Sequence, residues 1–201
     1  MTLSRTLTLA AIFAIGTSVG GYAQETAGDG DTVEAPLDDL SLGEAADAPT
    51  NSNQPYVKET IGDWDLRCLA TPDGGERCQM YQLLSDDQGS PVVEFSLFRL
   101  PSGGRADAGA TVVVPLETAL QQQLTLQVDS SPARRYPFAF CNQVGCYARI
   151  GLTAQDIAAY RAGNAARLTI APFVAQDQEV NVTLSLTGFT AAYEKASIAA
   201  Q

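Results

Sequence analysis

Beyond Tyr56 the chain alternates apolar and polar residues with a period of two, and this pattern restricts its fold more than any other feature. From 180 to 187 the apolar residues Val180, Val182, Leu184 and Leu186 are separated by polar ones. Successive side chains of a β-strand point to opposite faces, so this stretch is predicted to be a strand with one buried face. The same alternation occurs at Trp64, Leu66 and Cys68, at Leu124, Leu126 and Val128, and at Leu168 and Ile170.

Clusters of turn-forming residues separate these stretches. They are Pro72 to Gly75, Asp86 to Gly89, Pro101 to Gly104 and Asn142 to Gly145. Short strands divided by such turns predict an all-β sandwich or barrel of antiparallel strands. One or two short helices are also expected. The first covers 154 to 162 and begins with the capping-box pattern Thr153-x-x-Asp156, and the second lies in the alanine-rich tail, 191 to 200.

The N-terminus has the pattern of a signal peptide. Arg5 precedes an apolar stretch from about 7 to 15, and the small residues Gly21 and Ala23 suit a signal-peptidase site. We therefore expect residues 1–23 to be removed by cleavage after Ala23, leaving no transmembrane segment. The apolar stretch is too short to span a bilayer as a permanent helix. The expected location is the periplasm, or alternatively the outer-membrane surface or the exterior.

Residues 24–55 form an acidic stretch with eight Asp and Glu residues, no Lys or Arg, and no aromatic residue. Such a stretch buries too little apolar surface to offset about 1–2 kcal/mol per residue of backbone ordering. It is predicted to be a disordered linker before a folded domain at 56–201. The whole chain has 12 basic and 23 acidic residues and a formal charge of -11, which argues against nucleic acid as a partner.

The chain contains no histidine, which excludes several kinds of active site. Ser-His-Asp and Cys-His nucleophiles, zinc held by imidazole and haem held by histidine are all ruled out. No catalytic residue, metal ligand or cofactor site is therefore assigned. Asp86 and Asp87 are interpreted as part of a turn, since they lack the spaced oxygen ligands of a calcium loop.

Four cysteines, Cys68, Cys78, Cys141 and Cys146, are predicted to form two disulfides, because an exported chain meets an oxidising compartment. Three pairings are possible. Proximity across two hairpins favours Cys68 with Cys78 and Cys141 with Cys146. The entropy of loop closure favours the longer, crossed pairings, so these stay open as alternatives.

Arg134-Arg135-Tyr136 is the one cationic and aromatic cluster of the otherwise acidic domain. It is the candidate binding site. The competing interpretation is a solvated strand start, since isolated surface charges commonly have no further role.

An ordered set of motifs runs through the predicted domain. The motifs are Trp64-Asp-Leu-Arg-Cys68, Cys78-Gln79, Val112 to Leu116, Pro137-Phe-Ala-Phe-Cys141, Gly145-Cys146 with Ala148, and Leu186-Thr-Gly188-Phe189 with Ala192. Over about residues 60 to 195 the chain resembles the invasion-associated locus B family. The resemblance implies an immunoglobulin-like β-sandwich, export to the periplasm or outer-membrane face, and no known enzymatic activity. In pathogenic members it implies an association with entry into host red cells.

Two functions remain as hypotheses. The first is an exported, non-catalytic interaction module that binds an envelope or host protein or glycan through end loops or a strand edge. The second is a periplasmic hydrolase with paired carboxylates, either Asp63 with Asp65 or Asp177 with Glu179. The sequence specifies neither the partner nor the oligomeric state.

Overall fold

A computed structural model describes residues 54–199. The predicted signal peptide, 1–23, and residues 24–53 of the predicted acidic linker lie outside the described residues. Eleven strands and two helices follow in the described part. The strands are β1 Tyr56–Ile61, β2 Trp64–Ala70, β3 Glu76–Ser85, β4 Pro91–Arg99, β5 Ala108–Val114, β6 Leu124–Val128, β7 Arg134–Tyr136, β8 Phe138–Cys141, β9 Cys146–Leu152, β10 Ala165–Ile170 and β11 Val180–Ser185. The helices are α1 Ala154–Ala162 and α2 Phe189–Lys195.

The strands form two antiparallel sheets. The larger has seven strands in the order β1-β2-β3-β4-β5-β9-β8, and the smaller has four in the order β11-β10-β6-β7. Buried side chains of both sheets and both helices belong to one hydrophobic cluster, so the sheets pack face to face. This arrangement confirms the predicted all-β, immunoglobulin-like antiparallel sandwich with short helices.

The core follows from the alternation in the sequence. In β2 the alternate residues Trp64, Leu66 and Cys68 are buried, while the residues between them are half-buried. The Trp64 ring is fully buried and meets Phe95 and Phe189 edge-on, at centroid distances of 6.0 and 5.7 Å. The indole N–H has no hydrogen-bond partner among the described residues, although a buried indole usually finds one.

Helix α1 has the bounds that the capping box predicts, and both hydrogen bonds of that box are present. Helix α2 differs from the prediction, since it starts at Phe189 and ends at Lys195 instead of covering 191 to 200. Its start is set by Gly188, at φ +83°, where a Cβ would lie 2.4 Å from the carbonyl oxygen of Ile61. Its end is set by Ser197, which exchanges backbone and side-chain hydrogen bonds with Cys78 on β3.

One chain segment passes from the small sheet to the large one. Arg134 to Tyr136 pairs with β6 at the edge of the small sheet, and Phe138 to Cys141 pairs with β9 at the edge of the large sheet. Pro137 lies between the two strands, where its missing N–H removes no ladder hydrogen bond. We call residues 134–141 the crossing segment. It joins an edge strand of the small sheet directly to an edge strand of the large sheet.

Replacing the central indole tests this account of the core. We expect Trp64→Ala to lower the free energy of unfolding by about 3–5 kcal/mol, because it leaves a large cavity beside the rings of Phe95 and Phe189. Urea unfolding at equilibrium measures this change. The matched control is Leu83→Ala on the same sheet, where the side chain is 53% exposed, and we expect a loss below about 0.5 kcal/mol. Equal losses in the two variants contradict this packing.

Candidate functional site

The predicted cationic and aromatic cluster lies on β7, the edge strand of the small sheet. Arg134 and Tyr136 share one side of the strand and line a cleft against α1, whereas Arg135 alternates to the other side. The structure therefore brings two of the three residues together. It adds residues of α1 that sequence reasoning did not connect with them.

Arg134 is held by an ion pair with the first turn of α1. Its Nη1 atom lies 2.9 Å from the Asp156 carboxylate. The same carboxylate accepts hydrogen bonds from the backbone N–H and the hydroxyl of Thr153, at 2.9 and 2.8 Å. Asp156 thus caps the helix and orients Arg134 at once, so the start of α1 is fixed to the crossing segment.

The cleft between β6, β7 and α1 has a volume of about 210 Å³. Its lining combines apolar and polar side chains, which include Leu126, Val128, Arg134, Tyr136, Leu152, Asp156 and Tyr160. Tyr160 is 1% exposed, and its hydroxyl has no hydrogen-bond partner among the described residues. A buried hydroxyl without a partner is unfavourable, so this group marks the cleft as a place that a ligand or water completes.

Burial also shifts the titration of the two tyrosines. It raises the pKa of the Tyr160 hydroxyl well above its ordinary value, and Tyr136 and Asp156 raise that pKa further. Burial raises the pKa of Tyr136 as well, partly offset by Arg134. Both hydroxyls are therefore neutral at physiological pH and can donate hydrogen bonds.

Sequence reasoning missed a second surface, formed by loops at one end of the sandwich. Two of these loops, 115–123 and 171–179, are joined by backbone hydrogen bonds. The N–H of Phe173 donates to Glu117 at 2.7 Å, and the N–H of Ala119 donates to Ala171 at 2.8 Å. We call these loops, with the β8–β9 turn at 142–145, the end loops.

The end loops expose large apolar side chains. These are Leu116 at 54%, Leu120 at 38%, Val144 at 71%, Phe173 at 60% and Val174 at 83%. A depression of about 370 Å³ lies among them, lined by Leu116, Leu120, Phe173 and the Cys141–Cys146 pair. The sequence does indicate this surface through the adjacent apolar residues Phe173 and Val174, which follow Pro172 and precede a polar stretch. A loop does not require apolar residues at such positions, so a pair of them suggests a contact surface.

The charge of the end loops has one sign. They contain Glu117, Asp177 and Glu179 and no Lys or Arg. The surface is thus apolar in its exposed side chains and acidic around them.

Two disulfides hold neighbouring strands, in the local pairing. Cys68 lies opposite Cys78 across β2 and β3, and Cys141 lies opposite Cys146 across β8 and β9. The second disulfide closes the turn that belongs to the end loops. Gly145 in that turn packs against β5 so closely that a Cβ would lie 2.4 Å from the Val114 carbonyl oxygen.

The two predicted carboxylate pairs differ in their surroundings. Asp63 accepts a hydrogen bond from the Ser185 hydroxyl of β11 at 2.5 Å, and Asp65 accepts one from Thr60 of β1 at 2.8 Å. Each carboxylate is therefore held by a different strand. Asp177 and Glu179 are exposed in a loop before β11.

Two possible metal sites are explained by other bonds. Asp86 accepts hydrogen bonds from the backbone N–H groups of Gln88 and Ser90, both at 2.9 Å, and so closes its own turn. Cys68, Glu76 and Cys78 place ligand atoms within 4.8 Å of one another, but the two sulfurs are bonded together and are not thiolates. Within residues 54–199, no helix is long and apolar enough to cross a bilayer.

These features define a class of protein: a two-sheet antiparallel sandwich with cross-strand disulfides and surface clefts. Residues 64–197 match the family described as "Invasion associated locus B (IalB) protein". The chain belongs to this family, as the resemblance in its motifs implied. The description of the family names an association with invasion.

The similar proteins have related names. Two invasion protein B homologs of Brucella abortus, from strain 2308 and from strain 9-941 of biovar 1, are each 27% identical over 139 residues, which are 69% of this chain and 78% of theirs. The crystal structure of invasion associated protein B from Bartonella henselae is similar with a TM-score of 0.55 and 26% identity. The matched region covers 67% of this chain and 91% of the Bartonella henselae chain.

The buried hydroxyl of Tyr160 predicts a loss of stability at alkaline pH. Its pKa in the folded protein lies above the ordinary value of 10.0, so the folded protein holds this proton more tightly than the unfolded chain does. The stabilisation is complete below about pH 10 and is lost as the pH rises toward the folded-state pKa. Tyr160→Phe removes this contribution.

We expect the free energy of unfolding of the wild type to fall above about pH 10. We expect that of Tyr160→Phe to fall less steeply, by up to about 1.4 kcal/mol per pH unit. Urea titrations at several pH values measure both slopes, and recovery of the signal at neutral pH verifies that the disulfides are intact. Identical slopes for the two proteins contradict the burial of this hydroxyl.

Proposed function

We propose that the chain is an exported, non-catalytic interaction module of the cell envelope, and that it binds a partner protein through the end loops. The observation that carries the proposal is the set of five exposed apolar side chains on three loops at one end of the sandwich. Soluble domains rarely group such side chains without a partner, because their contact with water is unfavourable. End loops on a rigid sandwich are also a common place for recognition.

The chemistry of the surface favours one kind of partner. Apolar side chains cannot satisfy the hydroxyl groups of a glycan, whereas they pack well against an aliphatic or aromatic side chain of a protein. The acidic rim of Glu117, Asp177 and Glu179 favours basic residues around that anchor. We therefore infer a protein partner that presents an apolar anchor flanked by Lys or Arg.

Several features support export and a non-catalytic role. The signal-peptide pattern at 1–23 and the two disulfides suit an oxidising compartment outside the cytoplasm. The separate hydrogen-bond partners of Asp63 and Asp65 weaken the hydrolase alternative with paired carboxylates. The relatives are named as invasion proteins. We therefore include a protein of a host cell among the partners that the proposal covers.

Site-specific crosslinking tests this surface. A photoreactive benzoylphenylalanine replaces Phe173 in the full chain, and the same amino acid replaces Leu83, which is 53% exposed on the outer face of the large sheet. The proteins are expressed in the native organism and irradiated in intact cells. We expect one discrete protein adduct from position 173 and none from position 83. Equal crosslinking at both positions, or none at 173, contradicts the proposal.

Substitutions measure the strength of the same contact once the adduct is identified. We expect Leu116→Ser with Phe173→Ser to weaken binding of that partner at least about tenfold, because each exposed anchor loses its apolar contact. The control, Val57→Ser with Leu83→Ser, removes two side chains of similar exposure elsewhere and retains wild-type affinity. Binding of the wild type is also expected to weaken as salt increases. Wild-type affinity in the Leu116 and Phe173 variant overturns the assignment.

A further inference from the structure

We propose that the cleft between β7 and α1 is a second binding site, which takes a neutral, hydroxylated ring the size of one sugar residue. This cleft shares no lining residue with the depression among the end loops. The inference therefore stands or falls separately from the proposed protein partner.

Three polar groups of the cleft define the hydrogen bonds that a ligand can make. The Tyr160 hydroxyl is buried and has no partner among the described residues. Arg134 donates through Nη1 to Asp156 and has further N–H groups on a side chain that is 52% exposed. Tyr136 adds a second hydroxyl. A ligand that both donates and accepts hydrogen bonds satisfies this set, and a ring with several hydroxyl groups does so at adjacent positions.

The charge of the cleft excludes a strongly ionic ligand. Arg134 and Asp156 form an ion pair, so their charges offset one another. An anion that approached Arg134 would also approach the Asp156 carboxylate, which the Thr153 hydrogen bonds hold in place. A cation would meet the Arg134 guanidinium in the same way. A neutral ligand avoids both repulsions.

The size and the apolar lining set the remaining requirements. A volume of about 210 Å³ lies below the range of about 300–1,000 Å³ that is common for drug-sized ligands, so a single ring fits better than a larger molecule. Leu126, Val128 and Leu152 contribute an apolar wall. The C–H groups of a sugar ring suit such a wall, whereas its hydroxyls suit the tyrosines and the arginine.

An NMR titration of the full mature chain tests the site. The probes are methyl α-glucopyranoside and N-acetylglucosamine. The comparison compounds are acetate, which carries a charge, and cyclohexanol, which has a single hydroxyl. We expect at least one sugar to give saturable shifts of the amides of residues 134–136 and 155–160, with a dissociation constant of about 1–10 mM. We expect neither comparison compound to saturate there.

Removing the unpartnered hydroxyl separates a binding role from a structural one. Tyr160→Phe is expected to weaken the sugar at least about tenfold, while at neutral pH the thermal midpoint stays the same or rises, because phenylalanine avoids the cost of burying a hydroxyl without a hydrogen-bond partner. The matched control is Tyr147→Phe, which removes a hydroxyl bonded to Asn142 at 3.3 Å, outside the cleft lining. It retains wild-type sugar affinity.

Arg134→Gln provides a second variant, since this side chain is half exposed and its replacement leaves the core intact. We expect it to weaken the sugar as well. The proposal is overturned if neither sugar gives saturable shifts in the cleft, which would leave a bound water as the only partner of Tyr160. It is overturned equally if acetate or cyclohexanol binds as tightly as the sugar, or if Tyr160→Phe and Arg134→Gln both bind with wild-type affinity.

Discussion

The crossing segment, residues 134–141, is the constraint on which both surfaces depend. It is the edge strand of the small sheet at one end and of the large sheet at the other, and Pro137 divides the two. The Arg134–Asp156 ion pair holds the first end against α1. The Cys141–Cys146 disulfide holds the second end against β9. The cleft and the end loops therefore lie at opposite ends of one short piece of chain. The ion pair holds the end at the cleft, and the disulfide holds the end at the end loops.

This arrangement explains why a small sandwich can present apolar groups to water without losing its shape. The core around Trp64 is formed by residues of both sheets and α2, and the exposed groups of the end loops belong to separate segments. Two backbone hydrogen bonds and one from the Gln122 side chain to the Gln176 carbonyl oxygen join the two longer loops, and one disulfide closes the turn. The exposed side chains proposed for recognition thus differ from those that form the core, so replacing an exposed side chain of the end loops alters binding with little effect on the core.

Much of the fold could be predicted because its signals are local. Alternation predicted the buried face of β2, and the capping box at Thr153 predicted the bounds of α1. The rest depends on contacts between distant residues. The extent of α2 follows from the close approach of Gly188 to Ile61, and the cleft follows from Arg134 meeting Asp156, 22 residues away. Arg134 and Tyr136 could be identified from the sequence as candidate binding residues. The burial of the Tyr160 hydroxyl could not, because it depends on tertiary packing.

Hydrogen exchange of the variant Cys141→Ala with Cys146→Ala tests the central role of the crossing segment most directly. We expect the amides of residues 138–141, and those of the end loops, to exchange at least about tenfold faster than in the wild type, because the disulfide no longer holds this end of the crossing segment, whereas the Arg134–Asp156 ion pair still holds residues 134–136. Amides of β2, at the other side of the large sheet, keep their wild-type protection. Faster exchange that is confined to the turn at 142–145, or that is equal in every strand, contradicts the account.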